Sequence, residues 1–209
     1  MKTKPRLLIS STLVVAILFM NFSMTVFATA FDISTATYTG DTFDASSQDS
    51  GIKDIEFNST GTKMFLIGVT NDKVYEYAMS SAYDLSTATY SGVGEAFSYI
   101  AEGTNGQGLA FNSSGTKMYI VDRTDQEVNQ YSLSTAYDVS TASYATRISV
   151  SAQSVNTTSL SDVDFNNDGT KMYLIDTIEV DEYALSTAFD VITATYTDKY
   201  DFSEENVFG

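Results

Sequence analysis

Phe57-Asn58-Ser59-Thr60-Gly61-Thr62-Lys63-Met64-Phe65 is the stretch that decides the fold. It returns as Phe111-Asn112-Ser113-Ser114-Gly115-Thr116-Lys117-Met118-Tyr119, and again as Phe165-Asn166-Asn167-Asp168-Gly169-Thr170-Lys171-Met172-Tyr173. Gly61, Gly115 and Gly169 stand 54 residues apart. A second block, Ser81-Ala82-Tyr83-Asp84-Leu85-Ser86-Thr87-Ala88-Thr89-Tyr90, has copies beginning at Thr135 and Thr187 and a partial copy at Thr29. Self-similarity at a fixed period of this size is the signature of a repeat architecture.

Within one period the hydrophobic pattern alternates as in strands and never as in a helix. Strand A runs over Asp54 to Asn58, with Ile55 and Phe57 on one face. Asn58-Ser59-Thr60-Gly61 has hairpin chemistry, because Asn favours the first turn position and Gly supplies a positive φ. Strand B, Thr62 to Gly68, is an apolar run suited to burial on both faces. Strand C covers Lys73 to Met79, and strand D begins near Thr87 to Ser91 and ends near Phe97. Four antiparallel strands in 40 to 55 residues form one blade of a β-propeller, so the fold class is all-β. The Phe-Asn-x-x-Gly-Thr-Lys-Met-Tyr hairpin resembles the Phe-Ser-x-Asp-Gly hairpins of lactonase-like, TolB-like and YVTN-type propellers. The period as a whole resembles tandem propeller repeats of secreted bacterial and archaeal proteins. The resemblance covers residues 31 to 209 and implies blade architecture; propellers host many functions, so it leaves activity open.

Three complete blades are expected, at about 54–98, 108–150 and 162–203, with an extra D strand at Thr35 to Phe43. Propellers close with roughly four to eight blades. The chain therefore reads as part of a larger ring, either a truncated copy or one that shares blades between chains. Open edges of this kind invite self-association.

Residues 1–30 have the layout of a secretory signal. Lys2, Lys4 and Arg6 precede an apolar run from Leu7 to Met20, and small residues follow at Ala28 and Ala30. The mature chain, 31–209, holds no second long apolar segment, so a secreted or cell-surface protein without a membrane span is expected.

Composition removes whole classes of chemistry. The 209 residues include no Cys, no His and no Trp. Disulfides, thiolate metal sites, Cys nucleophiles and a Ser-His-Asp triad are all excluded. The formal charge is −16, which repels nucleic acid and anionic membranes. Tyr and Phe supply 14 and 13 residues, enough for a packed core.

Repeated residues describe the blade, and function is sought where the repeats differ. Lys63, Lys117 and Lys171 are expected to face solvent or pair within a blade, and Tyr77, Tyr131 and Tyr183 to pack between blades. In the propeller fold the B–C and D–A loops share one rim. That rim carries Asp72, then Asp122, Arg123 and Asp125, then Asp176 and Glu179, the candidate ligand-binding residues. Asp164-x-Asn166-x-Asp168-Gly169 matches half of a calcium loop, but Ile175 stands where the loop's Glu belongs. The functional expectation is a non-catalytic propeller that binds a protein or carbohydrate outside the cell. The alternatives are a carboxylate-dependent hydrolase or lactonase-like enzyme, with or without calcium, and a remnant of a longer propeller.

Overall fold

A computed structural model describes residue 34, residues 36–152 and residues 159–202. The chain divides into two units, Met1–Thr39 and Gly40–Gly209. The expected signal at 1–30 lies outside the described residues. Among the described residues no helix is long and apolar enough to cross a membrane.

Among the described residues the second unit holds thirteen strands. The first sheet contains β1 (Ile52–Phe57), β2 (Lys63–Gly68), β3 (Lys73–Met79), β4 (Ala88–Tyr90) and β5 (Ala96–Ser98). The second contains β6 (Gly106–Phe111), β7 (Lys117–Asp122), β8 (Glu127–Leu133) and β9 (Ala142–Ser149). The third contains β10 (Asp162–Phe165), β11 (Lys171–Ile175), β12 (Glu179–Leu185) and β13 (Ala194–Asp201). All pairings are antiparallel, and they run in chain order except that β5 returns to pair with β3 beside β4.

The turn residues do what their chemistry dictates. Asn58 Oδ1 accepts the N–H groups of Thr62 and Lys63 at 2.9 and 3.0 Å. Asn112 and Asn166 hold Lys117 N–H and Lys171 N–H in the same way, each at 2.9 Å. Gly61, Gly115 and Gly169 have φ of 68°, 69° and 70°. Only glycine enters that region without strain, and a Cβ there would also run into the ring of Tyr83, Tyr137 or Phe189. Each ring belongs to the second repeated block, so the two blocks lock together. In that block Asp84 and Asp138 cap a short 3₁₀ turn through Ser86 and Ser140. The third repeat has Ile192 at that position, and Asp190 makes no side-chain cap.

Strand D is continuous in the second and third sheets, as β9 and β13. In the first it splits into β4 and β5, both paired to β3, because Gly92 (φ 123°) and the 3₁₀ turn Val93–Glu95 interrupt it. The extra strand expected over Thr35 to Phe43 is corrected. Thr35 lies outside the described residues, and 36–43 make no strand. The side chains keep part of the role: Phe43 meets the Tyr77 ring edge-on at 5.1 Å, as Phe97 meets Tyr131 at 5.0 Å.

The core lies between the sheets. Phe65 and Ile67 of the first sheet pack with Leu109, Met118, Ile120 and Tyr131 of the second. Tyr119, Val121 and Val128 of the second pack with Val163, Met172, Leu174 and Tyr183 of the third. Tyr77, Tyr131 and Tyr183 are buried, at 0, 0 and 2% exposure; Tyr131 and Tyr183 pack between sheets as expected, whereas Tyr77 packs within the first sheet and against Phe43. Full burial of one such side chain contributes roughly 1.5–3 kcal/mol.

The repeated lysines act differently from the expectation. Lys63 does pair inside its own sheet, with Glu76 at 2.6 Å, but it also donates to the Tyr137 carbonyl of the next sheet at 2.8 Å. Lys117 donates to the Phe189 carbonyl at 2.7 Å. Only Lys171 has its partner, Glu182 at 2.8 Å, wholly within its own sheet. The sequence pattern shows a residue's repetition but not the reach of a four-carbon stem across a blade junction.

Candidate functional site

The rim acids shape their own turns. Asp122 is fully buried. Its Oδ1 accepts Thr124 N–H and Asp125 N–H at 2.8 and 2.9 Å, and its Oδ2 accepts Asn105 N–H at 2.9 Å. Asp176 Oδ1 accepts Ile178 N–H and Glu179 N–H at 2.7 and 2.9 Å. The first sheet has Gly68 at the corresponding position, and Asp49 reaches in from the preceding loop to fill the space. A Cβ on Gly68 would stand 2.8 Å from that of Asp49. Asp49 accepts Gly51 N–H at 2.7 Å and Asn71 N–H at 3.0 Å. A carboxylate bound to two or three backbone donors is held firmly in its turn.

The remaining rim candidates are dispersed. Asp72 has φ 52°, and its carbonyl accepts Tyr99 N–H at 3.1 Å. Arg123 Nε donates to Leu160 O at 3.0 Å and ties the second sheet to the third. Asp125 is exposed. Glu179 is buried beside Lys199, 2.5 Å away. The structure does bring Glu179 and Asp176 near Asp181, a residue not singled out in the sequence. Burial, then Glu179, then Asp176 push the Asp181 carboxyl up to about 6.

The half calcium loop is taken up by its hairpin. Asp164 Oδ1 accepts Phe165 N–H at 2.7 Å, Asn166 holds Lys171, and Asp168 Oδ1 accepts from Thr170 N–H at 3.0 Å and its hydroxyl at 2.6 Å. Elsewhere, Glu76, Glu95 and Asp138 can each bring a carboxylate oxygen within 4.8 Å of the others, with Lys63 paired to Glu76.

A different carboxylate group forms on the first strands of the first and third sheets. β6 lies between β1 and β10. Asp54 of β1 accepts Leu109 N–H of β6 at 2.8 Å. From the other side, the Asp162 carboxylate of β10 lies 2.5 Å from where a Cβ on Gly108 would be. The two carboxylates thus flank one dipeptide of the middle strand, and Gly108 is the residue that lets Asp162 approach. Glu56 joins them. Burial first, then the charges of Asp54, Asp162 and Asp164, push it up to about 7, against a partial offset from Phe57 N–H. Burial and Asp54 push Asp162 up to about 6. Asp54 is raised by burial, with the Leu109 and Ile55 N–H groups opposing.

The signal for this group was present in the sequence. At two alternate positions of strand A the first repeat has Asp54 and Glu56 and the third has Asp162 and Asp164, whereas the second has Gly108 and Ala110. Alternation made these residues look like a solvent face, while topology turns that face toward the neighbouring inner strands. Chemically, carboxyls held near neutrality exchange protons at working pH, which suits general acid–base work.

No family model matches the sequence, and no curated protein matches it. Solved structures do. The periplasmic gluconolactonase of Pseudomonas aeruginosa is similar with a TM-score of 0.53 at 13% identity, over 73% of this chain and 40% of that one. A Bacteroides uniformis protein with a provisional 6-phosphogluconolactonase assignment gives 0.53 at 16%, over 72% and 41%. A Desulfotomaculum acetoxidans protein of unknown function gives 0.51 at 11%, over 73% and 43%. The fold is that of a partial β-propeller. The chain spans about two fifths of the length of these propellers.

Proposed function

We propose that this propeller is an exported, carboxylate-dependent hydrolase of neutral sugar lactones. The observation that carries the reading is the inner-strand group of Glu56, Asp162 and Asp54, with Glu56 held near neutrality by burial and like charge. The names of the similar propellers, a periplasmic gluconolactonase and a provisional 6-phosphogluconolactonase, support the lactone class. The basic-then-apolar stretch at 1–30 supports export.

The chemistry needs one base. Ionised Glu56 takes a proton from water as the water oxygen bonds to the lactone carbonyl carbon. The ring C–O bond then breaks, and the departing alkoxide takes the proton back, giving the open hydroxy acid. Burial, and then the charges of Asp54 and Asp162, keep that carboxyl basic enough for the step at neutral pH. A phosphorylated lactone is disfavoured, because four carboxylates and a chain of net charge −16 repel it.

The test is hydrolysis of D-gluconolactone above the spontaneous rate, by the parent protein and by Glu56→Gln. The expected result is a rate that rises as pH passes through about 7 and falls on the order of 100-fold in the variant. Equal rates for the two folded proteins would end the reading.

A further inference from the structure

The two junctions inside the chain are built from the same parts. At the first, Lys63 Nζ donates to Tyr137 O at 2.8 Å, and Glu76 Oε2 accepts Val139 N–H at 3.4 Å. At the second, Lys117 Nζ donates to Phe189 O at 2.7 Å, and Gln130 Oε1 accepts Val191 N–H at 3.0 Å. Each junction clamps the carbonyl of the turn aromatic and the N–H two residues later. Beside the clamp an aromatic of one sheet's second strand meets one from the next sheet's first strand: Phe65 on Phe111 at 4.6 Å and Tyr119 on Phe165 at 4.4 Å.

The third sheet presents the same clamp again. Lys171 and Glu182 stand where Lys63 and Glu76 do, 2.8 Å apart, with Tyr173 alongside. Ile175 is 37% exposed where Ile67 and Val121 are 0%. The first sheet presents the matching turn. Tyr83 is 59% exposed, and among the described residues its carbonyl and Leu85 N–H have no partner. Ile55 is 44% exposed where Leu109 and Val163 are 0% and 3%. A groove of about 480 Å³, lined by Ile55, Met64, Leu66 and Leu85 among others, lies on that face.

We propose that the third sheet of one copy docks on the first sheet of a second copy, repeating the internal junction. Lys171 Nζ then donates to Tyr83 O, Glu182 accepts Leu85 N–H, and Tyr173 packs on Phe57. Phe43, which now covers Tyr77, gives way to the incoming fourth strand. The two faces differ, so the contact is head-to-tail and closes when the rotation per step completes a circle. The described residues of two copies contribute six blades, within the range at which propellers close. In this arrangement the pair is a closed ring with two identical junctions between chains.

The test is sedimentation equilibrium of the full gene product, purified as the producing cell leaves it. The expected mass is twice that of one chain. Lys171→Glu on one face and Tyr83→Asp on the other should each weaken association on the order of 100-fold, and Lys171→Arg should not. Thermal melts of each variant check folding. Mixing Lys171→Glu with Tyr83→Asp restores one good junction per pair, so the mixture associates where each variant alone does not. A mass of one chain at the highest concentration, or a dimer that both folded variants leave intact, overturns the proposal.

Discussion

The middle sheet and its two neighbours are made from nearly the same sequence, yet equivalent residues sit in different surroundings. Leu109 is fully buried and Ile55 is 44% exposed; Val121 is fully buried and Ile175 is 37% exposed. The middle sheet has a sheet on each side, and each outer sheet has one. Burial in this fold is supplied by the adjacent repeat, as in other arrays whose units contact only their neighbours. The contrast extends to charge. The middle sheet places Gly108 and Ala110 where the outer sheets place carboxylates, so two acidic strands face a small neutral one.

The largest break in this comparison comes from the tyrosines. Tyr131→Ala should cost about 3–5 kcal/mol in urea unfolding, because the side chain is fully enclosed between two sheets. Ile175→Ala, on the uncovered face, should change the unfolding of the dilute chain by less than about 0.5 kcal/mol. Gly115→Ala comes next, at about 1–3 kcal/mol, since it combines a positive φ with collision against Tyr137. Lys117→Met should cost about 1 kcal/mol by leaving the Phe189 carbonyl with one fewer donor. Lys171→Met should be close to neutral in the dilute chain, where its carboxylate partner is partly exposed.

The contrast in charge can be read through protons. Glu56 and Asp162 bind protons more tightly in the fold than in the unfolded chain, at about 7 and 6 against ordinary values of 4.5 and 3.8. Their contribution is therefore fully present below the ordinary values and is lost as pH rises through about 6 to 7. Thermal melts should show a higher Tm at pH 5 than at pH 8. Glu56→Gln should flatten that difference, leaving the variant at pH 8 more stable than the parent by on the order of 1 kcal/mol after allowance for solvent screening.

Much of the fold was legible because repetition multiplies weak signals. One Asn-x-x-Gly is an ordinary turn, while three at a fixed spacing define three hairpins. Tyr131 and Tyr183 could be assigned to the junctions because a large aromatic recurring on an apolar strand must be covered by a neighbouring unit, while their counterpart Tyr77 is covered by Phe43. The split of the first D strand was not legible, since Gly92 and Gly94 only weaken a strand that the other repeats complete. The N-terminal segment reads as a strand because its residues copy strand D, yet 36–43 form no strand. For the candidate site the difficulty was orientation. Asp122 and Asp176 look available in a loop, but an Asp two or three residues before backbone donors bends back to accept them. Glu56 and Asp162 look like a wetted edge, but the sheet order sets them against another inner strand. Alternation gives the face of a strand and is silent about what that face meets.

Amide hydrogen exchange read at three equivalent residues tests most directly the claim that coverage comes from the neighbouring blade. Val139 N–H and Val191 N–H are clamped by the sheet before them, and Leu85 N–H has no such clamp among the described residues. In dilute protein, Val139 and Val191 should be protected and Leu85 should exchange rapidly. At concentrations where chains pair, Leu85 should gain protection while the other two stay unchanged. Equal protection of all three in the dilute chain, or rapid exchange at Leu85 at every concentration, would contradict the account.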